Sequence, residues 1–519
     1  MVGSELFNEC MKNNINADTL NNDFLKYGGF FIVNGGFKIV RFLTALKINT
    51  PIFLIRNIIQ QTGLVINSEN TNFFRFISNF MIVSRGNYFQ TIKTTAVRKL
   101  RGESYGFLCP VNTPDGISCG IILSLAMNTK ISSNYMLNVW DCLFKEDDFY
   151  AYYKDLSPIN MFSFSAASIP FSDHNQSPRN IYQCQMQKHS LGFQYPQNPI
   201  TTTSVFESHN LYEHPLGINV MIAVISYTGY DMEDALVINK YSSDFGMFMA
   251  TNYTTSYFEL KPTDSYTILT SPLKKLTQGS PIIKINNSIK KHKSSEVLVD
   301  RIISTPSGVL IIFRKQRKPS VGDKFSSRHG QKGVCSSIYS TKDMMFGELG
   351  NVDLIINPNA FPSRMTIGML YEIISVNLPS SLKTHFYSGT TGTLLKSKIF
   401  YGPVFYQRLQ HMSMDKYQCR TIGPTSSLTH QPIKGRSKGG GIRFGEMERD
   451  CLISHGTVSL LNERMKISSD CGILKLCKDC GYFTDSISCY RCNKISTIEY
   501  KGCKVFNVLV AELKGMGID

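Results

Sequence analysis

GDKFSSRHGQKG, residues 322–333, sets Lys324, Arg328 and Lys332 at four-residue intervals, with His329 among them. Three glycines in the same twelve residues let the backbone come close to a neighbour. Positive charge concentrated in so short a segment implies a strongly negative ligand. The alternative is a solvated basic hairpin. Around this stretch lie short runs rich in branched residues, INVMIAVISY (218–227), GVLIIFRK (308–315) and VDLIIN (352–357), each bounded by Gly, Pro or Asp. Their length and composition predict buried strands. GRSKGGGIRFGE (435–446) has too many glycines for regular structure and is expected to be a loop or switch-like segment. The residues after it carry a helical period through Met447, Cys451, Leu452, Val458 and Leu461. LKKLTQGSPIIKINNSIKKHKSSE (273–296) is expected to be a surface excursion with a basic tip. Short strands, glycine loops and few long helices indicate a multidomain, mixed α/β, β-rich protein.

The chain has 519 residues, enough for about three or four domains. Hydrophobic residues make up 42 %, as in globular proteins and unlike disordered ones. The net charge of +16 favours a nucleic-acid partner, although charge that only aids solubility has the same composition. No apolar run reaches the roughly 18 residues of a membrane span. The opening MVGSELFNECMKNN lacks the pattern of a secretory signal. Most of the 14 cysteines are scattered, as expected of buried thiols in a reducing compartment.

One cysteine cluster differs. Cys477-Lys-Asp-Cys480 is followed by Cys489-Tyr-Arg-Cys492, and two such knuckles complete a tetrahedral Cys₄ site. Zinc in a structural ribbon is the favoured reading, and a redox CxxC the alternative. Cys471 and Cys503 flank the cluster as spare ligands or ordinary thiols. GYDMEDALVIN (229–239) brings Asp231, Glu233 and Asp234 to the end of an apolar strand. Adjacent carboxylates hold a divalent cation, face a basic partner or are simply solvated. Together with the lysines and arginines they form the kind of set that handles nucleoside triphosphates. There is no GxxxxGK[ST] loop, GxSxG elbow or HExxH helix.

Taken together, these segments resemble the second-largest subunit of multisubunit DNA-directed RNA polymerases, the family of bacterial β. GDKFSSRHGQKG is similar to that family's paired-lysine signature, and GYDMEDALVIN to its acidic motif. DHNQSPRNIYQ (173–183), NPNAFPSRMTIG (357–368), YGPVFYQRLQHM (401–412) and GRSKGGGIRFGEMERD (435–450) match further blocks in the family's order. TTAVRKLRGESYGFLCPVNTPDG (94–116) is similar to the fork of the eukaryotic polymerase I version, rather than the polymerase II or III versions. GGFFIVNGGFKIVRFL (28–43) resembles a segment of its protrusion. The chain is shorter than the family, with the lobe and portions of the external and wall regions missing.

The resemblance implies a double-psi β-barrel hybrid-binding core and a C-terminal Cys₄ zinc ribbon. It divides the chain into a protrusion remnant (1–50), a fork (51–135), a reduced external domain (136–165), a first hybrid-binding segment (166–245) and a shortened wall (246–313). A second hybrid-binding segment (314–434), which carries the barrel, an anchor and switch (435–470) and a zinc-binding clamp segment (471–519) complete it. Lys324 and Lys332 are then expected at the RNA 3′ end and triphosphate, and Arg179 and Arg364 on the β- and γ-phosphates. Glu233 and Asp234 are expected near a second, nucleotide-borne magnesium, through water or directly, while the main magnesium belongs to the largest subunit. Arg408, Lys434, Arg436, Lys438 and Arg443 are expected along the template or RNA–DNA hybrid. Cys477, Cys480, Cys489 and Cys492 are the zinc ligands. The partners implied are the largest subunit, small assembly subunits, DNA, RNA and nucleoside triphosphates, and a separate chain supplying the lobe is an open possibility. Ribosomal RNA synthesis in a nucleolus follows, and compaction with A/T-biased residues fits a reduced nucleus. The alternatives are the equivalent polymerase II or III subunit, or a degenerate scaffold.

Overall fold

The computed structural model describes residues 71–127 except 87, residue 129, and residues 161–518 except 261–264, 287, 293–295, 306–307, 348–349, 377–382 and 485. Strand segments at 31–33, 36–40, 42–43 and 65–67 are described as well. Most of the expected protrusion remnant and external domain lie outside the described residues. The chain forms two compact units, Met1–Ser413 and Met414–Asp519. Among the described residues no helix is long and apolar enough to cross a membrane.

In the first unit, helix α1 (Phe73–Phe80) precedes strands β1 (Ile82–Ser84) and β2 (Ile122–Ser124), which pair antiparallel. Helix α2 (Ser177–Lys188) opens with Pro178, whose fixed φ and missing N–H suit a first turn. Strands β3 (Ile218–Val224) and β4 (Ala235–Asn239) bracket the acidic motif. β5 (Ala250–Glu259), β6 (Val297–Thr305) and β7 (Gly308–Arg317) are neighbours in a separate sheet. β8 (Lys324–Ser327) and β9 (Lys332–Tyr339) form the basic hairpin, followed by β10 (Leu354–Ile356), helix α3 (Ile367–Ser375) and β11 (Ile399–Arg408).

Six of these strands close on themselves in the order β8-β9-β4-β10-β3-β11, because β11 also pairs with β8. β9–β4 and β10–β3 are parallel, and the other four pairings are antiparallel. Closure removes the edges that would otherwise offer unpaired backbone groups. Alternation along the strands feeds two cores. Ile222, Leu236, Ile238, Leu354 and Ile356 enter one cluster with Phe325, Cys335 and Val404, so every strand of the ring contributes to it. Ala223, Val237 and Ile355, one residue out of phase, enter a second cluster with Met345 and Phe386. Burial on both faces explains why these runs read as continuous apolar stretches.

The expected surface excursion at 273–296 is corrected. It contains strands Lys275–Leu276, Pro281–Ile285 and Ser288–Lys291, and Leu276, Ile282 and Ile283 are buried against Val299, Val309, Ile311 and Phe313. Its lysines conceal a small core of its own. In the second unit the expected long helical face is also broken. Helix α4 (Glu446–His455) stops at Gly456, whose φ is +81°, and a short helix at Val458–Asn462 continues into a π turn at Glu463–Ile467. Strands β12 (Cys471–Cys477) and β13 (Thr497–Cys503) form a two-stranded ribbon, followed by helix α5 (Lys504–Gly515).

Two buried ion pairs hold the basic hairpin. At its tip, Arg328 Nη2 donates to Glu372 Oε1 at 2.5 Å, and His329 Nε2 lies 2.6 Å from Glu372 Oε2. The Nδ2 of Asn175 donates to His329 Nδ1 at 3.1 Å, which leaves the histidine proton on Nε2. Glu372 also accepts the Phe405 backbone N–H. At its base, Asp323 accepts from Arg408 Nη2 at 2.7 Å and from the backbone N–H groups of Ser320 and Ser413. Burial alone would raise the Glu372 carboxyl. The Arg328 charge and the bonds from His329 and Arg328 outweigh it and bring the group down to about 2. Burial lowers His329 despite the opposing effect of Glu372.

The acid side of the stability profile follows. A carboxyl depressed in the folded state contributes above its unfolded value of 4.5 and loses that contribution as pH falls through about 2. The loss should amount to about 3 kcal/mol between those limits. Urea melts across pH should show it, and Glu372→Gln should be less stable at neutral pH with a flatter acid limb. An unchanged acid limb contradicts this role for Glu372.

Candidate active site

The hairpin register sorts its cations. Lys324 pairs with Val334 and Ser326 with Lys332, so the two lysines are diagonal neighbours on one face of the strand pair. Lys332 and Val334 are exposed and Lys324 is half-buried, whereas Phe325, Gly333 and Cys335 on the other face are buried. Arg328 and His329 turn inward to Glu372. The four-residue spacing therefore separates two outward lysines from one structural arginine.

Two glycines bring the hairpin against the other motifs. Gly330 has φ +70°, and a Cβ there would stand 2.4 Å from the Arg179 carbonyl oxygen. A Cβ on Gly333 would stand 2.4 Å from the Asp234 carbonyl oxygen. The Val334 N–H donates to that same carbonyl, and the Gly330 N–H donates to Gln183 on α2. Backbone contact thus joins the basic hairpin to the start of α2 and to the acidic segment.

Four charged side chains meet at this junction. Arg364 forms an ion pair with Asp234, with side-chain exposures of 18 % and 36 %. Burial and then the Arg364 charge lower Arg179, opposed by Tyr182 and Asp234. The Arg179 guanidinium lies 5.5 Å, and the Lys332 ammonium 5.3 Å, from the Tyr182 ring centroid. One aromatic ring thus holds two cations, an arrangement stabilised by its quadrupole. Arg179 Nε, Arg364 Nη1 and Asp234 Oδ1 are buried without a hydrogen-bond partner. Such atoms are costly to leave unmatched, and two of the three are donors suited to ligand oxygens. Glu233 is exposed with φ +49° beside Asp234. Asp231 has a different role: it is buried and accepts from the Tyr227 N–H at 2.9 Å, which closes the turn.

Tyr182 and Glu372 were not among the expected site residues. Tyr182 falls on the same helix as Arg179, three residues on, which places both near one face. Glu372 is a single acid in an apolar helix and shows itself only through its partners.

Arg408, expected at a nucleic-acid face, is corrected. It is 1 % exposed, and its guanidinium donates to Asp323 and to the carbonyls of Phe248, Arg317 and Lys318. A buried guanidinium without compensation would cost several kcal/mol, so this group is structural. In the second unit Lys434, Arg436, Lys438 and Arg443 are all exposed. Arg436 is nevertheless engaged with the carbonyls of Met414, Asp415 and Tyr417, which fixes its loop. Lys434, Lys438 and Arg443 remain as the exposed cations of that segment.

The sulfur atoms of Cys477, Cys480, Cys489 and Cys492 all lie within 4.8 Å of one another. A tetrahedral ion with ~2.3 Å bonds to sulfur needs sulfurs ~3.8 Å apart, which this cluster fits. Each knuckle ends in a left-handed residue, Gly481 (φ +67°) or Asn493 (φ +53°), whose N–H donates back to Cys477 or Cys489. Hydrogen bonds from the backbone N–H groups of Cys492 and Arg491 help bring the Cys489 thiol down to about 7, while the bond to Cys480 and burial push the Cys492 thiol up. Cys471 and Cys503 face each other at the opposite end of the ribbon and do not belong to the cluster. Among the described residues this is the one group of three or more metal-type side chains, so Glu233 and Asp234 offer two carboxylates without a third.

The family profile for RNA polymerase Rpb2, domain 6, matches residues 165–281, 261–381 and 376–438. The profiles for domain 3 and domain 7 match residues 66–131 and 440–519. The chain therefore belongs to the RNA polymerase Rpb2 family. Among its relatives are the DNA-directed RNA polymerase I subunit RPA2 of Eremothecium gossypii and subunit RPA135 of Saccharomyces cerevisiae. Both are 33 % identical over 86 % of this chain and over 55 % and 54 % of their own. DNA-directed RNA polymerase I subunit 2 of Arabidopsis thaliana is 30 % identical over 88 % of this chain and 61 % of its own. All three relatives are subunits of polymerase I. The chain spans little more than half the length of these relatives. An alignment of 654 positions exceeds its 519 residues, so that relative carries internal segments without a counterpart here.

The cluster predicts one tightly held metal ion per chain. X-ray absorption should show four sulfurs at ~2.3 Å. Cys480→Ser should lose the ion, and Cys471→Ser should keep it. Mixed nitrogen or oxygen ligation contradicts the Cys₄ assignment.

Proposed function

We propose that this chain is a catalytic-core subunit of a DNA-directed RNA polymerase of the polymerase I kind, working in a nucleus or nucleolus. It adds nucleotides to an RNA 3′ end only together with a largest subunit. The observation that carries this reading is the convergence of Arg179, Lys332, Asp234 and Arg364, from four separate motifs, at one junction of a closed six-stranded barrel. We read that barrel, with its mixture of parallel and antiparallel neighbours, as the double-psi core of the hybrid-binding region. We assign the fork, wall, anchor and clamp the boundaries expected from the sequence.

Nucleotidyl transfer needs positioning and charge stabilisation more than covalent help from protein. Arg179 and Arg364 bind the β- and γ-phosphates of the incoming triphosphate, and their partial exposure at the junction supports that role. Bidentate guanidinium–phosphate bonds fix orientation as well as charge. Before the nucleotide arrives, Asp234 neutralises Arg364 and holds its side chain ready. The triphosphate then competes for that guanidinium and releases the carboxylate. Lys332, braced on Tyr182, and Lys324 beside it hold the reacting end of the RNA and the phosphate next to it. Magnesium, when bound, supplies Lewis-acid stabilisation of the phosphates. Of this chain's groups, Glu233 and the freed Asp234 would be the ones to help hold it. Zinc is the metal we assign to the Cys₄ cluster, where four thiolates leave no open position for chemistry.

Lys434, Lys438 and Arg443 are assigned to phosphate contacts on template or hybrid, which carry no sequence information. Partner chains are supported by the second unit's own surface. Met447, Val458, Ile467 and Phe506 are each more than half exposed, and we read them as candidate contacts for partner chains.

The test is nucleotide addition by the complex purified through this chain. Lys332→Ala and Arg364→Ala should each assemble normally and lower the addition rate about 10²–10³-fold. Arg364→Ala should in addition raise the apparent KM for the triphosphate. Normal elongation by both variants contradicts the proposal.

A further inference from the structure

Cys471 opens β12 and Cys503 closes β13, and the register sets them directly opposite each other. Beyond this pair the Lys504 N–H donates to the Asp470 carbonyl, and beyond the other end of the ladder the Lys478 N–H donates to the Ser496 carbonyl. Hydrogen-bonded and non-hydrogen-bonded pairs alternate along antiparallel strands, so Cys471 and Cys503 form a non-hydrogen-bonded pair. Cα atoms in such pairs stand ~4.5 Å apart, with the two side chains on one face and close together. A disulfide needs Cα atoms ~4.4–6.8 Å apart, so the backbone meets the requirement. The next pair along the ladder is Gly472 with Gly502. Two residues without side chains leave the strands free to adjust as a bond forms.

The pair is also accessible. Cys471 is exposed and Cys503 half-buried. Ile473 and Lys501, next along the same face, are exposed as well. Burial first and then Asp470 raise the Cys503 thiol, and Lys466 works against them. Cys471 therefore meets a reagent first, and Cys503 is placed for a second, intramolecular step. The two cysteines bracket residues 472–502, which contain Cys477, Cys480, Cys489 and Cys492. Asp470 also accepts the Val505 N–H, so the start of α5 is fixed at the same point. A link between Cys471 and Cys503 closes the whole metal-binding loop. It restricts the metal-free chain more than the metal-bound one, which favours the bound state.

We propose that Cys471 and Cys503 are a reversible modification site, oxidised by a small-molecule disulfide such as oxidised glutathione to a cross-strand disulfide that locks the metal-binding ribbon closed. The Cys471 thiolate attacks one sulfur of the reagent. A mixed disulfide forms, and the first glutathione leaves as a thiolate that takes up the Cys471 proton. The Cys503 thiolate then attacks the Cys471 sulfur. The Cys471–Cys503 bond forms, and the second glutathione leaves with the Cys503 proton. Two protein thiols are oxidised, and one glutathione disulfide is reduced to two thiols. A disulfide this exposed is readily reduced again, so the link follows the redox state of its surroundings.

The test uses the native complex purified through this chain with its metal in place. It is exposed to oxidised glutathione, alkylated and digested. Mass spectrometry should find the Cys471 and Cys503 peptides joined. Release of the metal to a chelator should slow about 10-fold, and excess reduced glutathione should restore the original rate. In Cys471→Ser the oxidant should leave the release rate unchanged. If that variant fails to enter the complex, Cys503→Ala should give the same result. A lasting glutathione adduct on Cys471, two free thiols, a link to a metal-ligand cysteine, or a release rate that the Cys471–Cys503 link does not alter overturns the proposal.

Discussion

Glu372 is the group on which the arrangement depends. A hairpin carrying Lys324, Arg328, His329 and Lys332 would repel itself if all four faced one way. Glu372 draws Arg328 and His329 into the interior and leaves the lysines facing out. Breaking a buried pair of this kind costs about 3–5 kcal/mol, because it leaves a charge unmatched. Asp323 and Arg408 repeat the device at the hairpin's base. With both ends held, the two glycines set the distance to Arg179 and Asp234, and the charged junction inherits its geometry from the barrel.

The charged residues therefore fall into two kinds that look alike in a sequence. Arg408 and Arg328 are buried and matched by carboxylates. Arg179 and Arg364 are partly exposed. Buried nitrogens without a partner occur in both kinds, on Arg328 and Arg408 as on Arg179 and Arg364, so exposure rather than hydrogen bonding tells them apart. Asp234 occupies one edge of Arg364.

Much of this is legible in the sequence, for physical reasons. The strands at 218–227 and 352–357 are recognisable because strands of the closed ring, buried on both faces, are continuously apolar, and the one at 308–315 because its branched residues fill a sheet core. The Cys₄ cluster is recognisable because two knuckles need a fixed spacing. Arg408 misleads because a basic residue in a block resembling a nucleic-acid enzyme suggests a phosphate, and nothing local reveals that Asp323, 85 residues earlier, neutralises it. The strands at 275–291 are hidden by their lysines. Glu372 and Tyr182 act through partners distant in sequence, so only the folded chain identifies them.

The central claim is that the Arg364–Asp234 pair is a resting state that a triphosphate opens. It is tested most directly by a structure of the native complex on a DNA–RNA scaffold with a non-hydrolysable nucleoside triphosphate. The account predicts β- and γ-phosphate oxygens within hydrogen-bond distance of Arg179 and Arg364, with Asp234 released from Arg364. A bound triphosphate with the Arg364–Asp234 pair still closed and Arg179 untouched would contradict it.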